Sequence, residues 1–268
     1  MSDSDHHPDD PEVPDLVAPR EKPMGFWGHL EELRWTLVKS AIAFTIFAVL
    51  IGIFMTEFNR LLMWPFYKAV ADYPGLTIDL GTTSIMEGFN MIIQMCVLGG
   101  LTCSAPFILF FVGQFVAPAL SEKELKAVLP MCLSAFVLFL AGATFAFFLL
   151  VPATVRMAID INKSFDLAFR WNVGSYYSVL SWLVLGVGAA FEFPLVIVLL
   201  VWMGIVSTAF LRKYRRHAIV VIFIIAAVIT PTPDPFVQTT FAIPLYLLYE
   251  IAILVSSRIE KKRVARFN

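Results

Sequence analysis

The stretch Tyr176–Trp202 reads YYSVLSWLVLGVGAAFEFPLVIVLLVW and carries a single ionisable side chain, Glu192. A helix needs about 20 mostly apolar residues to cross roughly 30 Å of hydrocarbon, so this segment reads as a bilayer span. Working outward from it, five more stretches qualify or nearly qualify: Thr36–Met55, Ile85–Ala119, Val128–Val151, Ala218–Ile229 and Phe236–Val255. Segments rich in Pro, Gly, Asp and Lys separate them. The composition agrees, with 59% apolar and 15% charged residues against soluble norms of roughly 45–50% and 25%. The expected fold class is therefore an all-α integral membrane protein of six spans. An even number of crossings returns both termini to one side.

Lys and Arg choose that side. The N-terminal flank, the second and fourth loops and the tail together carry fifteen of them, from Arg20 to Arg266, whereas the opposite loops hold Arg60, Lys68, Arg156, Lys163 and Arg170. The positive-inside rule then places both termini in the cytoplasm. Residues 1–23 read as a disordered acidic tail, with His6 and His7 as solvated side chains; 24–258 form the membrane domain and 259–268 a basic tail. The acidic start lacks the basic region of a cleaved signal peptide. Cys96, Cys103 and Cys132 lie in apolar stretches without metal or redox spacing and read as packing residues. A net charge of -1 with no basic stripe gives no footprint for nucleic acid.

Span lengths carry a second message. At 1.5 Å per residue, Ile85–Ala119 reaches about 52 Å and Ala218–Ile229 only about 18 Å. The long span is expected to kink at Ser104-Ala105-Pro106, and the short one to thin the membrane or shelter behind its neighbours. A cupped bundle, deep on one wall and shallow on the other, follows.

Three places could carry function. Before the first span, Phe26, Leu30, Leu33 and Leu37 recur at helical spacing, which predicts an amphipathic segment in the interface with His29, Glu32 and Thr36 on another face. Glu31 can pair with Arg34, while Glu32 has no cationic neighbour three or four residues before it. It is either a solvated acid favoured at a helix start or a free carboxylate awaiting a cation. In the second loop, Ser121 with Glu124 fits a capping box, so Glu124 has a structural reading beside a cation-binding one. Glu192 sits near the middle of its span, where an ionisable group costs at least about 2.5–3.5 kcal/mol. Pro194 bends the helix beside it, and Gly186, Gly188, Ala189 and Ala190 allow close approach. Glu192 is either hydrogen-bonded against a neighbouring helix or a docking point in the cup. Past the rigid turn Thr230–Pro235, Gln238 enters the last span.

Taken together these motifs resemble one family, TatC, the signal-peptide receptor of the twin-arginine protein translocase. The resemblance rests on His29-Leu30-Glu31-Glu32-Leu33-Arg34 for the HLxELR signature, Ser104-Ala105-Pro106 and Phe115-Val116-Ala117-Pro118-Ala119-Leu120 in the second span, and Phe191-Glu192-Phe193-Pro194 in the fourth. Glu124, Leu211-Arg212-Lys213, Thr230-Pro231 and Asp234 to Gln238 follow in order. Glu31 occupies the position the signature leaves open, and Thr36 stands where the family usually has a basic residue. The resemblance implies a concave receptor in a bacterial-type cytoplasmic membrane, working in a homo-oligomeric complex with single-span TatA and TatB partners. It implies export of folded cargo driven by the proton-motive force, without catalysis, cofactor or metal. Glu32 and Glu124, with Leu30, Arg34 and Phe115, would bind the paired arginines of a signal peptide; Glu192, Pro194 and Gln238 would form a membrane-embedded docking groove; Val221 and Phe223 on the short fifth helix would meet a partner helix. The rival reading is a proton-coupled secondary transporter using Glu192, against which the sequence offers no inverted repeat.

Overall fold

The computed structural model describes residues 26–76, 78, 80–116, 122–231 and 234–267; for residue 26 and residues 122–127 and 262–267 it describes the backbone alone. The acidic tail 1–23, with His6 and His7, lies outside the described residues, as do Ala117–Ser121. The chain is helical throughout: α1 Phe26–Ile53, α2 Met55–Ala71, α3 Ile85–Val116, α4 Glu122–Phe145, a π turn at Ala146–Leu150, α5 Val151–Ser164, α6 Val173–Phe191, α7 Phe193–Trp202, α8 Thr208–Lys213, α9 Arg215–Ile229 and α10 Pro235–Phe267. Among the described residues, five segments are long and apolar enough to cross a membrane: Trp27–Ile53, Ile85–Val116, Val128–Ser164, Val173–Trp202 and Pro235–Lys261. The 15-residue α9 is the short sixth, about 22 Å long.

Several expectations are corrected in detail. The segment around Leu30 does not form a separate interfacial helix; it is the first part of α1, one continuous helix of 28 residues. Its apolar positions Leu30, Leu33 and Leu37 stay exposed on the bundle's outside, because α1 leans on α3 and little else. The loop after the first span contains α2, whose Leu62, Pro65, Phe66 and Ala69 recur at helical spacing and are buried. The third span runs on past Val151 to Ser164. Its π turn accommodates Pro152, which cannot donate to the carbonyl of Phe148 and would break an unmodified α-helix there. The fourth span breaks where expected, with Glu192 between α6 and α7. The second passes through Pro106 as one helix.

Glycines set the closest helix contacts. A Cβ on Gly142 of α4 would stand 2.8 Å from Cγ of Phe191 and 2.9 Å from the carbonyl of Val187, and one on Gly188 would stand 2.8 Å from the ring of Phe139. Gly142→Ala therefore has to push α4 off α6, at a cost of about 1–3 kcal/mol. Its melting temperature in detergent should fall, while Gly88→Ala, whose Cβ meets nothing within 4 Å, should leave it unchanged or raised. Equal melting of the two variants would contradict this packing.

Polar side chains lash both ends of the bundle. At one end Arg156 of α5 pairs with Asp72 at 2.7 Å, and the hydroxyl of Tyr73 donates to Asp160 at 2.7 Å. Burial, reinforced by Asp160, pushes the Tyr73 hydroxyl up to about 12, so it remains a donor at any physiological pH. The Tyr176 hydroxyl donates to the Leu62 carbonyl at 2.6 Å. At the other end the Tyr249 hydroxyl donates to the Leu211 carbonyl at 3.0 Å, Thr208 bonds Glu260, and Arg215 at the head of α9 pairs with Glu250 of α10 at 2.8 Å. The start of α1, the end of α3, α8 and the end of α10 all belong to this second end.

Candidate functional site

Two openings hold the carboxylates singled out in the sequence. The first is a groove of about 520 Å3 between the start of α1 and the end of α3, lined by Gly28, Glu31, Glu32, Trp35, Thr36, Lys39, Gln114 and Phe115. It forms because residues 28, 32, 35 and 39 of α1 fall on one helical face, and α3 arrives against that face at its last turn. His29 stacks on Phe115 with ring centroids 4.5 Å apart, fixing the two helices at the groove's edge. Glu32 is half-buried here, and its Oε2 is enclosed without a hydrogen-bond partner among the described residues. A carboxylate oxygen shut away from water and left unpaired costs free energy.

Of the residues assigned to signal-peptide binding, Glu32 and Phe115 line this groove, whereas Leu30 and Arg34 stand exposed on α1 and do not. No ion pair joins Glu31 to Arg34 among the described residues; Glu31 is one of the residues lining the groove. The side chain of Glu124 lies outside the described residues. Its backbone belongs to the first turn of α4, which begins one residue after Ser121, as the capping-box pattern requires. Trp35, Lys39 and Gln114 are lining residues that sequence reasoning passed over. The helical spacing of 28, 32, 35 and 39 was the available signal for Trp35 and Lys39; nothing local to residue 114 announced its meeting with α1.

The second opening, about 190 Å3, lies between α3, α4 and α7, with Leu109, Val112, Met131, Cys132, Leu195 and Val196 among its walls. Glu192 is its ionisable residue, and Oε1 of Glu192 is buried without a partner among the described residues. Pro194 lines the adjoining groove between α4, α7 and α10. Gln238 lines neither; its side-chain amide donates to the Phe223 carbonyl at 2.9 Å and holds α10 to α9. On α9, Ile222, Ala226 and Ile229 are buried, leaving Val221 and Phe223 exposed on the two flanks of that buried stripe.

A bundle of apolar helices with five segments, among the described residues, long enough to cross a bilayer defines a multi-pass membrane protein. A model of the family described as Sec-independent protein translocase protein (TatC) matches residues 28–244. The chain is 34% identical over 245 residues to the TatC of Koribacter versatilis, covering 90% of this chain and 88% of that one. It is 36% identical over 180 residues to that of Akkermansia muciniphila, covering 67% of this chain but 52%, about half, of that relative. A solved structure, the crystal structure of the twin-arginine translocase receptor TatC in DDM, superposes with a TM-score of 0.72 at 34% identity, covering 85% of this chain and 99% of that one. This chain belongs to the TatC family. It is a multi-pass membrane component of the twin-arginine protein translocase, a transport subunit and not an enzyme. The transporter reading of Glu192 receives no support from these relationships.

Proposed function

We propose that this protein is the receptor subunit that captures twin-arginine signal peptides, with Glu32 and Glu124 as the carboxylates that meet the two guanidinium groups. The observation that carries the reading is the enclosed, unpaired Oε2 of Glu32 in an open groove. A guanidinium supplies the missing donors in a planar fork and forms charge-assisted hydrogen bonds that lysine cannot match in geometry. Both termini, and therefore this groove, face the cytoplasm of a bacterial-type inner membrane, a reading supported by the distribution of Lys and Arg. In this reading the chain divides into an acidic tail 1–23, a membrane domain 24–258 and a basic tail 259–268, the last two joined by α10, which runs without a break through Arg258. The groove with Glu192, the adjoining groove with Pro194, and the exposed flanks of α9 with Val221 and Phe223 receive single-span partners of the TatA and TatB type in a complex holding several copies of this chain. Export of folded cargo is driven by the proton-motive force. Gln238 contributes by holding the two helices of the docking face together.

The test uses native membranes containing the full chain. A photoreactive signal peptide with two arginines should cross-link to a probe at Phe115, and replacing both arginines by lysines should reduce that cross-linking by roughly tenfold or more. Equal cross-linking of the two peptides would remove the basis for the receptor reading.

A further inference from the structure

The rim groove contains more than one carboxylate and one aromatic ring need explain. Among the described residues, Glu31 and Glu32 both line it against the single cation Lys39, which gives this lining a net negative charge. Glu31 is free of the Arg34 pair that its spacing allows. Trp35 lies one helical turn after Glu31 on the same side of α1, and 56% of its surface is exposed. Gln114 closes the groove from α3 with an uncharged amide. The basic residue that the family signature usually places two beyond its arginine is Thr36, a groove-lining residue too small and neutral to repel an incoming cation.

We propose that Glu31 and Trp35 form an arginine-selective subsite beside Glu32: Trp35 stacks over the guanidinium that Glu32 holds, and Glu31 takes its remaining N–H groups. This rests on the receptor reading and deepens it. The α1–α3 groove then engages one arginine of the pair, and Glu124 of α4 meets the other. The selectivity is physical. A guanidinium is planar, weakly hydrated and able to stack on an aromatic face while its edge hydrogen-bonds; an ammonium is a hydrated point charge that gains less from either contact. Gln114 is placed to hydrogen-bond the peptide backbone between the two arginines without competing for charge.

The experiment measures binding of fluorescent peptides with Arg-Arg, Arg-Lys, Lys-Arg and Lys-Lys pairs to the full chain in nanodiscs. Variants Glu31→Gln and Trp35→Leu are compared with wild type, with Trp35→Phe as the conservative control. Both changes fall on exposed side chains, and melting temperature checks that each variant is folded. Glu31→Gln should weaken the Arg-Arg peptide by about tenfold and Trp35→Leu by about two- to fivefold. Each should leave the Lys-Lys peptide much less affected, and Trp35→Phe should recover part of the loss. Arg-Arg preference that survives intact in both variants overturns the subsite while the receptor reading stands. An equal loss for all four peptides also overturns it, since a structural defect does not sort arginine from lysine. A wild-type protein without any Arg-Arg preference overturns the receptor reading and the subsite together.

Discussion

Glu32→Ala is expected to lower the affinity for a twin-arginine peptide by roughly 10- to 150-fold, the loss of one charge-assisted contact of about 1.5–3 kcal/mol. The same change should leave the melting temperature unchanged or raise it. The two halves of this expectation come from one observation. Oε2 of Glu32 is enclosed and without a partner among the described residues, so the carboxylate costs stability; in the complex the guanidinium repays that cost. A structural acid behaves in the opposite way, since its removal strands a hydrogen-bonded partner and lowers stability. Glu32→Gln should separate shape from charge: it fills the same space and accepts a hydrogen bond, yet should lose most of the affinity because it cannot balance a cation. Titration of purified variants with a labelled signal peptide, alongside thermal unfolding, reads both quantities. Wild-type affinity in Glu32→Ala would sink the assignment, and a marked fall in melting temperature would make Glu32 a structural residue.

The contrast between Glu32 and Gln238 shows what a linear sequence discloses. Both are polar residues at the mouth of a span, and local pattern treats them alike. Glu32 is left unpaired in an opening, while Gln238 is consumed by the Phe223 carbonyl of α9, fifteen residues away in sequence. Whether a polar side chain is satisfied depends on the backbone of another helix, which periodicity does not encode. Spans were legible for the converse reason: hydrocarbon thickness fixes a length and forbids charge, and both conditions are written along a single segment. The break at Glu192 was legible too, because proline acts on the carbonyl four residues before it. The helix α2 and the extension of the third span through Ser164 were not. Both contain charged residues that mark the edge of hydrocarbon but do not end a helix, and their stability comes from the contact of α2 with α5.

The groove at the start of α1 follows the same logic. Its acids were found because they stand in a recognisable motif, but its width and its remaining walls depend on where α3 ends. Gln114 and Phe115 lie more than 70 residues beyond Trp35 and Lys39 in the chain, yet they line the same opening. The order His29, Glu32, Phe115 thus identifies a site only once α1 and α3 are known to be antiparallel neighbours, which His29 stacking on Phe115 makes concrete.

The largest effect in the membrane interior is expected at Glu192, where Glu192→Lys should abolish export of a twin-arginine cargo, Glu192→Leu should impair it strongly and Glu192→Gln should retain much of it. Glu192 interrupts the fourth span between α6 and α7 and lines a groove whose other walls are almost wholly apolar. An ion at such depth costs at least about 2.5–3.5 kcal/mol, so a buried Oε1 without a partner among the described residues is accommodated by protonation of the carboxyl, by water in the groove or by a polar group brought by a partner helix. Gln preserves the acceptor and adds donors, so it can still meet that group. Leu fills the space and removes a buried polar atom, so it should fold at least as well as wild type while losing the hydrogen bond to the partner. Lys carries the same dehydration cost with the opposite sign and no carboxylate among the groove's residues to meet it. Reconstituted export distinguishes the three variants, and labelling of Glu192→Cys with a water-soluble maleimide tests the groove's accessibility. Full export by the Leu variant would eliminate the docking role. A thiol that reacts in the isolated chain and becomes protected when a single-span partner is added would place that partner over Glu192, because covering the groove is the only change that hides the residue without refolding α6 and α7.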